Sequence, residues 1–112
     1  MGVFNVVEVP GEQICRDCGR PSRRDAQFRF GACDLSRYRI GDLLHWGERD
    51  AGVPGRPLVA ARGYGSRCPH CGYNDELMFD VIIEHDIVTA VLPETGKIDY
   101  SKQDDEWVVL GR

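Results

Sequence analysis

Four of the five cysteines in this chain fall into two short pairs, Cys15-Arg16-Asp17-Cys18-Gly19 and Cys68-Pro69-His70-Cys71-Gly72. Two residues between paired cysteines let both sulfurs face one ion from a tight turn. The N–H groups of that turn then point at the thiolates and offset their charge. The chain must reverse just after the second cysteine, and glycine accepts the positive φ this needs at little steric cost. Four thiols in two such pairs read as a tetrahedral metal site, with zinc first among the ions that suit it.

The two knuckles resemble those of the zinc-ribbon proteins, in which two β-hairpins share one zinc. The resemblance implies that Cys15, Cys18, Cys68 and Cys71 are the four ligands of a single ion. It covers the knuckles and the strand after each. The 49 residues from Gly19 to Arg67 separate the pairs, against ~15–20 in an ordinary ribbon. Loop closure entropy grows only with the logarithm of length, so the separation is tolerable. An insert of that size, about residues 22–65, is expected to be folded. With one divalent ion the four thiolates leave a net −2, which Arg16, Arg20 and Arg67 stand close enough in sequence to offset.

Other chemistries fit the cysteines less well. Disulfides want an export signal, and the first ten residues lack a basic start and a long apolar run. A thioredoxin-like pair wants a helix after the motif, whereas Gly19-Arg20-Pro21-Ser22 and Gly72-Tyr73-Asn74-Asp75 are turn sequences. Iron remains open, because Cys68-Pro69-His70-Cys71-Gly72 also resembles a rubredoxin knuckle and four thiolates suit iron as well as zinc. A shell closed by four sulfurs keeps no open position, so the ion is expected to be structural. His70 then reads as a solvent-facing knuckle residue.

At 112 residues, with 42% hydrophobic and 29% charged residues, the composition is that of one soluble globular domain, 1–112. No apolar run approaches the ~20 residues a membrane helix needs. Free thiols without an export signal point to the cytoplasm. The net charge of −4 is unevenly placed. Residues 1–67 carry 11 arginines against 8 acids, and residues 68–112 carry 3 cations against 10 acids. Such asymmetry marks either a partner-binding face or two halves that pack on each other.

Around the knuckles the pattern is β throughout. Residues 1–10 alternate weakly and read as an edge strand ended by Pro10-Gly11. Residues 27–30 and 36–40 alternate again and read as a hairpin, with Phe28, Phe30, Tyr38 and Ile40 on its buried face and Arg29, Arg37 and Arg39 on the other. Leu43–Trp46 is a short strand or a single helical turn. Residues 58–61 form a strand inside a Gly/Pro-rich stretch. Residues 76–84 place Leu77, Phe79, Val81 and Ile83 on one face, with Asp80 and Glu84 opposite. His85-Asp86 is a turn, residues 87–92 are a strand stopped by Pro93, and residues 107–110 form the last strand. No segment carries a 3.6-residue period. The fold class is all-β or nearly so: zinc-ribbon-like knuckles joined to further antiparallel hairpins.

No phosphate loop, dinucleotide fingerprint or catalytic triad pattern occurs. Cys33 is the spare thiol, with His45 and His85 the remaining histidines, and no third orienting residue accompanies them. Asp99, Asp104, Asp105 and Glu106 lack a Ca²⁺ loop pattern and read as a solvated loop. The Arg29/Arg37/Arg39 row, with Tyr38 and Trp46 beside it, is the candidate binding surface. The sequence thus points to a non-enzymatic protein that uses a structural zinc to build a protein-interaction module, such as an adaptor or toxin-neutralising protein. A nucleic-acid-binding ribbon using the arginine row and a rubredoxin-like iron electron carrier are the alternatives.

Overall fold

The structure is a computed structural model, and it describes residues 3–47, 50–101 and 106–110. Asp104 and Asp105 of the acidic stretch lie outside them. Among the described residues there is no helix, and the strands run β1 Asn5–Glu8, β2 Gln13–Ile14, β3 Pro21–Ser22, β4 Asp25–Phe28, β5 Gly31–Ala32, β6 Arg37–Tyr38, β7 Asp50–Ala51, β8 Val59–Gly65, β9 Met78–Glu84, β10 Ile87–Pro93 and β11 Trp107–Val109. The protein is all-β, as the absence of helical period requires.

One curled sheet dominates, in the order β10-β9-β8-β4-β1-β6, and β11 also pairs with β8. All its pairings are antiparallel except β1 with β6, which is parallel. Two-stranded ladders β2-β3 and β5-β7 branch from it. The edge of β8 that faces away from β9 is shared. Val59, Ala60 and Ala61 take β11, and Tyr64 and Gly65 take β4.

The core is built from the period-two rows. Phe79, Val81 and Ile83 of β9 are buried with Val59 and Ala61 of β8, Ala26 and Phe28 of β4, and Val7 of β1. Phe30 closes the far end, with the rings of Trp46 and Trp107 edge-on to it at 5.3 and 5.4 Å. Gly63 and Gly65 lie inside β8 because the packing leaves no room for a side chain. A Cβ at Gly65 would stand 2.8 Å from the Leu77 carbonyl oxygen, and one at Gly63 would stand 3.1 Å from the Ala26 Cβ.

Several sequence expectations need correction. Residues 27–30 and 36–40 do not form a hairpin. β1 inserts between β4 and β6, with Val7 opposite Ala26 on one side and Tyr38 on the other. β1 is therefore an interior strand, and β10 and β6 end the main strand order, with β11 a further edge beside β8. Val7 and Val9 are buried on both flanks' account, and Asn5 joins them by donating its side-chain N–H to the Phe30 carbonyl at 3.0 Å. Ile40 lies past the end of β6 and is exposed. The strand expected at 58–61 runs on to Gly65. Asp80, on the face opposite Phe79 and Val81, is buried as well, because the segment after β10 folds back and Tyr100 donates its hydroxyl to the carboxylate. Leu43 forms an isolated bridge with Ile87 instead of a strand or helical turn. The His85-Asp86 turn is present, with φ of 49° and 68°, the two left-handed residues that a tight β9–β10 hairpin takes.

Candidate metal centre

Both knuckles are excursions from neighbouring strands. The first caps the β2-β3 ladder, which branches from between β1 and β4, and the second sits in the connection from β8 to β9. β4 and β8 are antiparallel neighbours, with Ala26 opposite Gly65. The beginning of β4 and the end of β8 therefore share one end of the sheet. The ladder continues past the strands, where Ser66 N–H donates to the Asp25 carbonyl at 2.8 Å and Asp25 N–H donates to the Ser66 hydroxyl at 3.1 Å. The folded insert consequently returns the chain to where it left.

The two knuckles close with the same two hydrogen bonds. Cys15 N–H donates to the Arg20 carbonyl and Cys68 N–H to the Tyr73 carbonyl, both at 3.1 Å. Gly19 N–H donates to the Cys15 carbonyl at 3.1 Å, and Gly72 N–H to the Cys68 carbonyl at 2.9 Å. Gly19 and Gly72 have φ of +72° and +75°, the conformation the reversal demands. In the first knuckle the N–H groups of Asp17 and Cys18 point at the Cys15 sulfur, at 3.3 and 3.5 Å.

All four sulfurs lie within 4.8 Å of one another. Two of the approaches cross between knuckles: Cys15 Sγ to Cys71 Sγ and Cys18 Sγ to Cys68 Sγ, each 3.7 Å. A tetrahedron with metal–sulfur bonds of ~2.3 Å has sulfurs about 3.8 Å apart. The separations are far longer than a disulfide bond of ~2.0 Å. Cys15 and Cys68 are buried, while Cys18 and Cys71 are exposed. Backbone N–H groups of Cys71 and His70 hold the Cys68 thiol down to about 6. The Tyr73 N–H favours the Cys71 thiolate, but burial and the three neighbouring sulfurs outweigh it and push that thiol up to about 12. A divalent cation removes this mutual repulsion, so the donor set, its spacing and its charge all fit a metal ion.

Beneath the sulfurs lies a pair that sequence reasoning missed. Arg24 and Asp75 have fully buried side chains and meet in a fork, with Nη1 2.8 Å from Oδ1 and Nη2 3.0 Å from Oδ2. Arg24 also donates from Nε to the Ser22 hydroxyl and from Nη1 to the Ser66 carbonyl, both at 2.9 Å. The bond from Arg24 holds the Asp75 carboxyl below the usual carboxylate range, and the backbone N–H of Asp75 and of Arg16 act in the same sense. The guanidinium is stabilised first by Asp75 and then by the nearby Cys68 and Cys15 sulfurs. The signal for this pair was in the periodicity. Arg24 continues the inward row of Ala26 and Phe28, and Asp75 continues that of Leu77, Phe79 and Val81. The two opposite charges point inward at the same end of the sheet, ahead of the two strands that flank β8, and they meet there.

The other expected site residues are dispersed or occupied. Arg16, Arg20 and Arg67 are exposed beside the knuckles, and Arg67 reaches the Gly72 carbonyl at 3.5 Å. His70 is exposed, as a knuckle residue should be, with Nε2 3.2 Å from the Pro21 carbonyl. Tyr38 is buried, its hydroxyl accepting the His45 N–H at 3.1 Å, so it presents no surface. Arg37 forks onto Asp25 at 2.8 and 3.0 Å and stands 3.5 Å from Glu8; Arg39 stands 3.1 Å from the same Glu8 oxygen. Of the row only Arg29 is exposed without an ion pair among the described residues. Cys33 is far in sequence from the cluster and takes no part in it. Its thiol points at the Gly31 carbonyl at 3.6 Å, and burial pushes it up. Searches of protein-family models, curated proteins and solved structures found no match to this chain.

Proposed function

We propose that this chain is a non-enzymatic protein-interaction module of zinc-ribbon type, folded around one structural zinc held by Cys15, Cys18, Cys68 and Cys71. The observation that carries the reading is the pair of 3.7 Å sulfur contacts across the knuckles, which match a four-thiolate tetrahedron. Four sulfurs leave no coordination position for a substrate, so the ion's contribution is to folding. Zinc needs no redox partner and no geometry other than this one. A hollow of about 470 Å³ opens beside the second knuckle, between Arg62, Tyr64, Asn74, Glu76, Leu77 and Met78; none of these is a thiol or an imidazole.

The contact surface lies at the knuckle end. Ile14 is 61% exposed and Tyr73 48% exposed. Each stands on a metal-bearing hairpin and shares it with an exposed arginine, Arg20 in the first case and Arg67 in the second. Large apolar and arginine side chains on a rigid support are what protein interfaces use. The nucleic-acid reading is weakened by Arg37 and Arg39, whose charges are already matched by Asp25 and Glu8. At the knuckle end the exposed arginines Arg16, Arg20 and Arg67 are interspersed with Glu12, Asp17 and Glu76. Expected on purification from its own cell is a colourless protein with one zinc and a protein partner at fixed stoichiometry. Ile14→Ser with Tyr73→Ala should abolish that partner while the zinc stays. Retention of the partner by this variant, an iron chromophore, or steeply salt-dependent oligonucleotide binding would contradict the reading.

A further inference from the structure

The Arg24–Asp75 pair has no counterpart elsewhere among the described residues. The other ion pairs there, at Arg37, Arg39 and Arg62, are partly exposed, whereas both side chains of this one are sealed from solvent. A buried ion pair is poor evidence of a stabilising design, because desolvating both charges offsets their attraction. Its placement suggests a different purpose. Arg24 follows the first knuckle hairpin at once, and Asp75 stands four residues past Cys71. Arg24 also binds the Ser66 carbonyl, two residues before Cys68, and Asp75 faces the N–H of Arg16, between the first two cysteines. Each charge thus holds its own hairpin and the opposite one.

We infer that Arg24 and Asp75 are positioning residues for the metal: they fix the two knuckles in mutual register before any ion arrives, so that metal affinity depends on them. This rests on the metal-site reading above and extends it. The physical argument is preorganisation. Four thiolates repel one another, and without a support the hairpins would part until an ion drew them together. Part of the binding free energy would then go into that closure. A guanidinium facing Cys15 and Cys68 also lowers the repulsion at the two buried sulfurs. Outer partners of this kind typically change metal affinity ~10–100-fold when lost.

The test compares zinc affinities by competition with a chromophoric chelator, alongside the absorption of the Co²⁺ form and tryptophan fluorescence. Trp46 and Trp107 report on the Phe30 end of the core, away from the knuckles. The first variant is Arg24→Met with Asp75→Leu, which removes both charges together and leaves neither stranded. It should keep the parent fluorescence and lose roughly 10–100-fold in zinc affinity, with a weaker or shifted Co²⁺–thiolate band. If its fluorescence shows a disrupted core, Arg24→Lys decides, since it keeps the charge pair and loses the fork that reaches Ser66. Zinc affinity within about threefold of the parent in the variant that retains the core overturns the inference. Metal content of the parent protein tests the site itself, so the two failures are distinct: a parent without metal refutes the site, and a metal-binding parent with an indifferent variant refutes only the positioning.

Discussion

Ala26 stands opposite Gly65 where β4 meets β8, and that register puts both knuckles at one end of the sheet. It explains how 49 intervening residues are compatible with a single four-cysteine cluster. The insert is a set of strands whose outgoing and returning ends are hydrogen-bonded neighbours. Gly65 itself is tightly enclosed, since a Cβ would press on the Leu77 carbonyl oxygen at 2.8 Å and the Leu77 Cβ at 2.9 Å.

Substituting that glycine should therefore be felt at the metal. Gly65→Ala is expected to cost about 1–3 kcal/mol by overpacking. Urea unfolding monitored by tryptophan fluorescence measures the stability. Zinc competition should show weaker binding as well, because the displaced Leu77 strand end leads directly from the second knuckle. An alanine variant as stable as the parent would mean that the β8–β9 approach relaxes freely.

Removing the metal should act unevenly. The β2-β3 ladder is only two residues long, while β8, β9 and β10 are seven each. On chelation, amide exchange at Cys15, Gly19, Cys68 and Gly72 should accelerate strongly, with the core amides of β8 and β9 following more slowly. Uniform acceleration would show that the ion holds the whole sheet.

Tyr100 gives the protein an alkaline limit. Burial, and next the hydrogen bond and charge of Asp80, raise its hydroxyl above the ordinary tyrosine value of 10.0. The folded state thus keeps a proton that the unfolded state releases. The stability from this group is fully present below pH ~10 and declines as pH rises further. Tyr100→Phe should remove that decline. It should also cost about 1–3 kcal/mol at neutral pH by leaving Asp80 buried without its donor. Urea midpoints of both proteins between pH 7 and pH 11 check it.

Arg37 and Arg39 lead to a contrasting expectation. Both are more than half exposed in their ion pairs with Asp25 and Glu8. Alanine at either should change stability by no more than ~1 kcal/mol, and less in high salt. A larger loss in thermal unfolding would indicate that this network does more than neutralise a surface.

The cysteine cluster was legible because its ligand spacing and trailing glycines are local facts of the chain. The all-β class was legible for the same reason, and so was the β9–β10 hairpin at His85-Asp86. What escaped was non-local. Nothing in residues 27–40 announces that β1 will come between β4 and β6, because its insertion is decided by the sheet as a whole. The arginine row looked like a free surface for the same reason: Glu8 and Asp25 are remote from Arg39 and Arg37 in sequence and adjacent only across β1. The burial of Asp80 on the opposite face of β9 was not legible either, since its cover, Tyr100, comes 20 residues later. Arg24 and Asp75 were readable in principle, as charges sitting on apolar rows.

Elemental analysis with native mass spectrometry tests the central claim most directly. The account predicts one zinc per chain, lost on Cys15→Ser or Cys68→Ser and kept on Cys33→Ser. A metal-free native protein, or a mass showing these cysteines joined as disulfides, would contradict it.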